Sequence, residues 1–387
     1  MKLVFYSLFL NHHQAYVADE FFSILGKHYA FVELSGNYDS KGAMEDFSKR
    51  PYLVRAWEEN SAFSKAMDLA ISAEVCVFSG LEALPFIKAR MKMGGLSFEM
   101  SERYLKRGLI NLISPRIFKM VWAYHTGRWY TKNIYKLCCS SFTTIDDLRL
   151  GMYKGRHYKW GYFTSVGENF VETCSQDVST KGKVHILWCA RFLLLKHPEL
   201  AIKLAARLKQ DGYDFVIEMY GDESGKVLYD KSYSRSDLEK LIDELNVGDV
   251  VVLMGNRPNK EILNAMRGGD IFLFTSDKRE GWGVVTNEAM SNGCVVVASD
   301  AIGSTGYLLK HKETGMIFNS CDIDSLYEQV KYLMDKPKER NRISMAARQV
   351  MVDVWNPANA ANSLLRLIEN LKKGIDDNIS EGPCSKA

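Results

Sequence analysis

From residue 184 onward, short apolar runs alternate with segments of helical spacing. The stretches 184–190, 215–220, 250–254, 270–274 and 294–298 read as strands. Between them, 199–208, 238–245, 260–266 and 284–291 repeat apolar residues three and four apart, as a helix with one buried face requires. Strands that are apolar at every position, rather than at alternate ones, are covered on both faces. Their alternation with helices predicts a doubly wound α/β domain around a parallel sheet.

The first half begins in the same way. An apolar strand over 3–10 precedes a helical stretch at 15–26, and strands follow at 29–34 and 74–78. Residues 90–150 are less regular and rich in Trp, Tyr and basic side chains. Beyond 324 the pattern is helical over 326–334, 339–350 and 359–371, with Trp355-Asn-Pro357 between the last two, because proline disfavours helix at the residue before it. A chain of 387 residues exceeds a single ordinary core, so two domains are expected. We divide it into 1–170, 183–355, a helix at 356–373 that packs back on the first domain, and a disordered tail at 374–387. The polar stretch 167–182 is the expected linker.

Bulk charge adds little, since a formal net charge of +3 does not mark a nucleic-acid binder. No uncharged apolar stretch is long enough to cross a membrane, and the first ten residues read as a strand rather than a leader. The eight cysteines lack Cys-x-x-Cys spacing, and several lie in apolar runs. They read as free thiols in a reducing compartment, and a cytoplasmic protein is expected.

In parallel α/β sheets, ligands bind beyond the carboxyl ends of the strands. Three segments lie there. After 184–190 comes Arg191-Phe-Leu-Leu-Leu-Lys196-His197-Pro198, whose guanidinium and ammonium suit a diphosphate. After 270–274 comes Glu280-Gly-Trp-Gly-Val-Val-Thr-Asn-Glu288, in which Gly281 and Gly283 allow close backbone approach. The helix that opens near Gly283 offers free N–H groups to phosphate. Its two acids can accept hydrogen bonds from hydroxyl groups on either side of a diphosphate. After 294–298 comes the small, glycine-bearing Ser299-Asp-Ala-Ile-Gly-Ser-Thr-Gly306.

The Glu-x7-Glu segment resembles the motif of the large family of retaining GT-B glycosyltransferases. Asn292-Gly-Cys-Val-Val-Val-Ala-Ser-Asp, Thr314-Gly-Met-Ile-Phe318, Ala190-Arg191 with Lys196, Tyr220-Gly221-Asp222 and Gly255-Asn256 match further family segments. The resemblance covers about 183–350 well and the first half in outline. It implies two Rossmann-like domains facing across a cleft, with a nucleotide-sugar donor (UDP- or GDP-sugar) on the second. Arg191 and Lys196 would hold the diphosphate, Glu280 the donor sugar and Glu288 the ribose. The Gly281–Val284 backbone, Trp282 included, would touch sugar and phosphate, with Gly221 and Asn256 nearby. This sequence has Ala190 where the family usually has glycine, and Trp282 where it has phenylalanine. Without an Asp-x-Asp loop (Asp322-Ile-Asp324 reads as a helix cap), no metal or other cofactor is expected.

The family's first domain binds the acceptor. Asn11, His12 and His13, after the first strand, and Glu99, Ser101 and Glu102, in an expected loop, are the candidate acceptor contacts. Between 88 and 136 stand eleven Lys/Arg against two acids, interleaved with Trp122, Tyr124, Trp129 and Tyr130. That mixture suits an anionic membrane surface and a lipid-linked or glycan acceptor, and places the protein peripherally on the inner face of a membrane. No nucleic-acid motif accompanies it. The expected function is a glycosyltransferase of bacterial surface polysaccharide or glycolipid synthesis. The rival readings are a sugar-nucleotide epimerase or phosphorylase of the same fold, and a non-catalytic scaffold subunit.

Overall fold

A computed structural model describes residues 1–36, 47–166, 182–223, 231–375 and 379–387. It divides into two compact units, Met1–Ser165 with Val354–Ala387, and Val166–Asp353. Apart from Gly182, the expected linker 167–182 lies outside the described residues.

The first unit holds β1 (Leu3–Ser7), β2 (Tyr29–Glu33), β3 (Leu53–Arg55), β4 (Val75–Ser79), β5 (Ser97–Ser101), β6 (Lys106–Leu109), β7 (Ile134–Cys138) and β8 (His157–Lys159). All but β6 form one sheet of order β3-β2-β1-β4-β5-β7-β8, with every pair parallel. The helices Ala15–Leu25, Asn60–Ser72, Leu84–Met93 and Pro115–Thr126 connect its strands. The helix Pro357–Lys373 packs on Ala15–Leu25. It starts where Asn356 accepts from the Asn359 N–H at 2.7 Å and Pro357 fixes the first turn, and it stops at left-handed Gly374.

The tail departs from expectation. Residues 379–387 are ordered against the sheet edge: Lys159 N donates to Ser385 O at 2.7 Å, and Cys384 N to Lys159 O at 2.7 Å. Cys384 and Ser385 are buried. The reason is backbone pairing to β8, which an otherwise polar sequence does not signal.

The second unit holds β9 (Val184–Cys189), β10 (Phe215–Tyr220), β11 (Val251–Gly255), β12 (Ile271–Phe274), β13 (Val295–Ser299) and β14 (Met316–Phe318). Their order is β11-β10-β9-β12-β13-β14, again all parallel. Successive residues Ile271, Phe272, Leu273 and Phe274 are all buried, as are Val295 to Ala298, because helices cover both faces. On one face Ile186, Trp188, Ile217, Met219, Leu273 and Val297 meet Leu204 and Leu208 of the helix Pro198–Gln210. Asp322 caps the helix Ile323–Asp335 by accepting from the N–H groups of Asp324 and Ser325, as its sequence predicts.

Candidate active site

Numbered within the second unit, the strand order is 3-2-1-4-5-6. The order reverses between its first strand, β9, and its fourth, β12, and the crevice beyond those two carboxyl ends is where such sheets bind ligands. The segments after β9 and β12 are bound together at that point. Thr275 Oγ1 donates to Lys196 O at 2.6 Å and accepts from Trp188 Nε1 at 2.9 Å. Asp277 N donates to Leu195 O at 2.9 Å. Lys196 forms an ion pair with Glu280, and its ammonium lies 5.6 Å from the centre of the Phe274 ring. Arg191 is exposed and makes no side-chain hydrogen bond or ion pair among the described residues.

Two glycines are fixed by space as well as by backbone angle. A Cβ on Gly283 (φ +82°) would stand 2.3 Å from Phe274 Cζ. One on Gly221 (φ +142°) would stand 1.9 Å from the carbonyl oxygen of Ala190. The Gly283 turn leads into the helix Val285–Ser291, which carries Glu288. Burial raises the Glu288 pKa from 4.5 to about 7, against a hydrogen bond from Asn259. The Trp282 indole is buried and donates to Asn287 Oδ1 at 3.0 Å, so the ring anchors the turn while only the backbone remains for a ligand. Ser304 N in turn donates to Trp282 O at 3.2 Å, which fastens the third segment, 299–306, to this turn. Val284 is partly exposed just before the helix, and Gly281 is buried. Asn256 is exposed just beyond β11.

His197, quoted only as part of its segment in the sequence, is a further cation here. It has a left-handed backbone (φ 50°) directly before Pro198. Burial pulls its pKa down, but contacts to Asp277 (3.3 Å) and Glu199 (2.8 Å) outweigh that and raise it from 6.5 to about 10. Asp277 is raised by burial but held well below the usual carboxylate range by His197 and Arg279. A lysine followed by His-Pro, with Asp277 three residues before Glu280, is the pattern that could have signalled this pair.

In the first unit, Asn11, His12 and His13 stand after β1. Asn11 Oδ1 accepts from His13 N at 3.0 Å, and the two imidazoles lie 3.7 Å apart. Burial, with His12 alongside, pushes the His13 pKa down to about 3, and burial lowers that of His12. Both rings are therefore neutral. Among the described residues, His12 Nδ1, His13 Nδ1 and Gln14 Oε1 are enclosed without a hydrogen-bond partner. Glu33, buried at the end of β2, accepts from Leu10 N at 2.8 Å and so fixes this loop.

The expected loop 97–103 is corrected. Ser97–Ser101 is the strand β5, and its Glu99 and Ser101 point into a closed cluster. Glu99 pairs with Lys136, both fully buried, and Lys136 Nζ also donates to Ser101 Oγ at 2.7 Å. Asp147 lies 3.8 Å from Lys136 and 3.3 Å from His157. Burial works against the Lys136 ammonium, but Asp147 and Glu99 hold its pKa well above the ordinary value. Glu102 stands apart, paired with Lys106 at 2.5 Å. Glu99 and Ser101 are thus framework residues. Alternation along a strand puts them on one face with Lys136 of β7.

Residues 173–350 match the family model described as Glycosyl transferases group 1. The sulfoquinovosyl transferase SQD2 of Arabidopsis thaliana is 33% identical over 117 residues, 30% of this chain and 22% of that protein. The amylovoran biosynthesis glycosyltransferase AmsK of Erwinia amylovora is 28% identical over 195 residues, 49% of this chain and 45% of the relative. The chain thus spans less than half the length of these curated relatives. Among solved structures, HepE of Anabaena in complex with UDP superposes over 96% of this chain and all of its own, with TM-score 0.69 and 13% identity. The lipopolysaccharide outer core galactosyltransferase WaaB superposes over 95% of this chain and 100% of its own, with TM-score 0.68 and 15% identity. The fold is that of GT-B glycosyltransferases.

Proposed function

We propose that the chain transfers a sugar from a nucleotide-sugar donor to a glycan or lipid-linked acceptor, with retention of anomeric configuration and without a metal ion. The observation that carries this reading is the Lys196–Glu280 pair at the strand-order reversal. One carboxylate and one ammonium there suit a sugar hydroxyl beside a diphosphate. Breaking the sugar–phosphate bond puts negative charge on the departing phosphate, and fixed cations aimed at that oxygen lower the barrier. Lys196 and the His197 imidazolium supply them, and the exposed Arg191 adds a further positive charge in the same loop. Glu280 takes the sugar hydroxyls, Glu288 the ribose, and the Gly281–Val284 backbone closes on the diphosphate. Retention is read as front-face attack, in which the acceptor hydroxyl loses its proton to the departing phosphate oxygen as the new bond forms. The neutral His12 and His13 suit contact with the acceptor hydroxyl better than with phosphate.

HepE was solved with UDP and with UDP and glucose, which favours a UDP-sugar as the first donor to test. AmsK is named for amylovoran biosynthesis and WaaB for the lipopolysaccharide outer core, and a role in bacterial surface polysaccharide or glycolipid synthesis, at the inner face of a membrane, is proposed here. The test is sugar release and transfer from a panel of UDP- and GDP-sugars. Glu280→Ala is expected to lower turnover by at least about a hundredfold while the urea midpoint stays near that of the parent. Turnover within a few-fold of the parent sinks the assignment. NMR of the product's anomeric proton decides retention, and full activity in EDTA decides metal independence.

A further inference from the structure

The basic stretch 88–136 changes character once its side chains are placed. Four of its eleven cations are committed internally. Arg90 is buried and donates to the carbonyl oxygens of Ala73 and Glu74 at 2.6 and 2.8 Å. Lys136 is enclosed with Glu99, Arg103 grips Asp146 through two bonds of 3.1 Å, and Lys106 pairs with Glu102. Tyr124 and Trp129 are buried in the core. Tyr124 and Trp129, with those four cations, are thus structural.

What remains exposed is narrower and more apolar. Leu109, Ile110, Ile113, Phe118 and Trp122 are 66, 63, 80, 56 and 61% exposed. They run through the end of β6, the single turn Ile110–Ile113 and the outer face of the helix Pro115–Thr126. The opposite face of that helix is fixed in the core by Met120, Ala123 and Tyr124, and Phe118 and Trp122 stack on each other at 5.9 Å. The turn is held from below, with Asn111 Nδ2 donating to Tyr104 O at 2.9 Å. Apolar side chains are therefore held outward by a folded support.

Along this segment the sequence carries charge of one sign. Between Glu102 and Asp146 the sequence contains no Asp or Glu, while Arg116, Lys119 and Arg128 are exposed there. Exposed helices of the second unit differ, since Arg235 pairs with Glu239 and Lys240 with Glu244 within one helix. A solvated helix face gains from such mixed pairs, whereas a face with cations alone needs its counter-charge from outside. A second copy of the same face would bring like charges together, and nucleic acid gives little to bare Leu and Ile side chains. An anionic bilayer offers both headgroup charge and acyl depth.

We infer that residues 107–122 form a membrane-docking surface in which Ile113, Phe118 and Trp122 enter the headgroup–acyl boundary of an anionic bilayer and Arg116 and Lys119 pair with its phosphates. This deepens the reading of the acceptor as lipid-linked. It is tested without donor or acceptor, so it fails or stands separately from transfer activity. The full chain is sedimented with vesicles of two parts phosphatidylcholine to one part phosphatidylglycerol, and with phosphatidylcholine alone. Binding is expected to the anionic vesicles only, and to weaken with salt. Arg116→Glu with Lys119→Glu lowers the partition coefficient at least about tenfold. Phe118→Ser with Trp122→Ser does the same, and neither pair moves the urea midpoint or sugar release from a soluble donor. Trp emission shifts to the blue on binding, and Trp122→Phe removes most of that shift while binding persists. Unchanged partition in both double variants overturns the inference. So does equal binding to neutral vesicles. Concentration-dependent self-association, or saturable binding of RNA, that is lost in the same variants without any vesicle binding overturns it in favour of those partners.

Discussion

Glu288→Gln removes a carboxyl group that the fold holds close to neutrality. Burial raises its pKa from 4.5 to about 7. Between those values the folded chain retains a proton that the unfolded chain has lost, so stability falls as pH rises and levels off above 7. At about 1.4 kcal/mol for each tenfold change, the displacement from 4.5 to about 7 costs the folded state about 3 kcal/mol at pH 8. The neutral amide escapes this cost, and its carbonyl still accepts from Asn259. The variant should therefore exceed the parent in stability by about 2–3 kcal/mol at pH 8 and match it near pH 4.5. Urea unfolding at the two pH values, followed by Trp fluorescence, reads the difference. Nucleotide-sugar affinity moves the other way. The parent binds more tightly as the carboxylate ionises through pH 7, and the variant binds weakly at every pH. A stability difference independent of pH refutes the raised pKa. Unaltered affinity removes Glu288 from the donor contacts.

Other perturbations give equally direct readings. Lys136→Ala leaves Glu99 and Asp147 buried without their cation and should cost about 3–5 kcal/mol in urea unfolding. Adding Glu99→Gln should recover part of that loss in a double-mutant cycle, which a solvent-facing Glu99 would not show. Gly283→Ala forces a Cβ against Phe274 at positive φ and should cost about 1–3 kcal/mol, with donor affinity falling in isothermal titration. His197→Ala removes an imidazolium whose pKa is raised from 6.5 to about 10. The stability it contributes is full below pH 6.5 and is lost as pH rises toward 10, so parent and variant melting temperatures should converge in alkali. Parallel melting curves across that range would contradict the His197–Asp277 pairing.

The second unit was legible because its strands are nearly continuous apolar runs, with β12 apolar at every position, a pattern that suits a doubly covered parallel sheet. Lys196 and Glu280 could be assigned to one site because each follows a strand, and sheet order then made β9 and β12 neighbours. The rest was hidden for reasons of geometry. Glu99 and Lys136 look like surface charges one by one, and only strand register brings them together in the interior. His197 became a cation through partners two and eighty residues away. The Trp282 indole, between two glycines, is turned inward by Asn287, a pairing that the motif does not signal. The ordering of 379–387 depends on backbone groups of β8, which carry no side-chain pattern.

The chain enters the second unit after Ser165 and returns to the first at Val354. The second unit is therefore an uninterrupted segment inserted into a first unit made from two separate pieces. On a ribosome, every residue of the inserted unit emerges before the helix Pro357–Lys373 and the strand partner of β8. The inserted unit can complete its core while the first unit still waits for its last helix, with the Ala15–Leu25 face exposed in the interval. Synthesis thus finishes the candidate donor-binding half first, and pauses or truncations beyond Asp353 should yield nascent chains that bind nucleotide but expose apolar surface to chaperones.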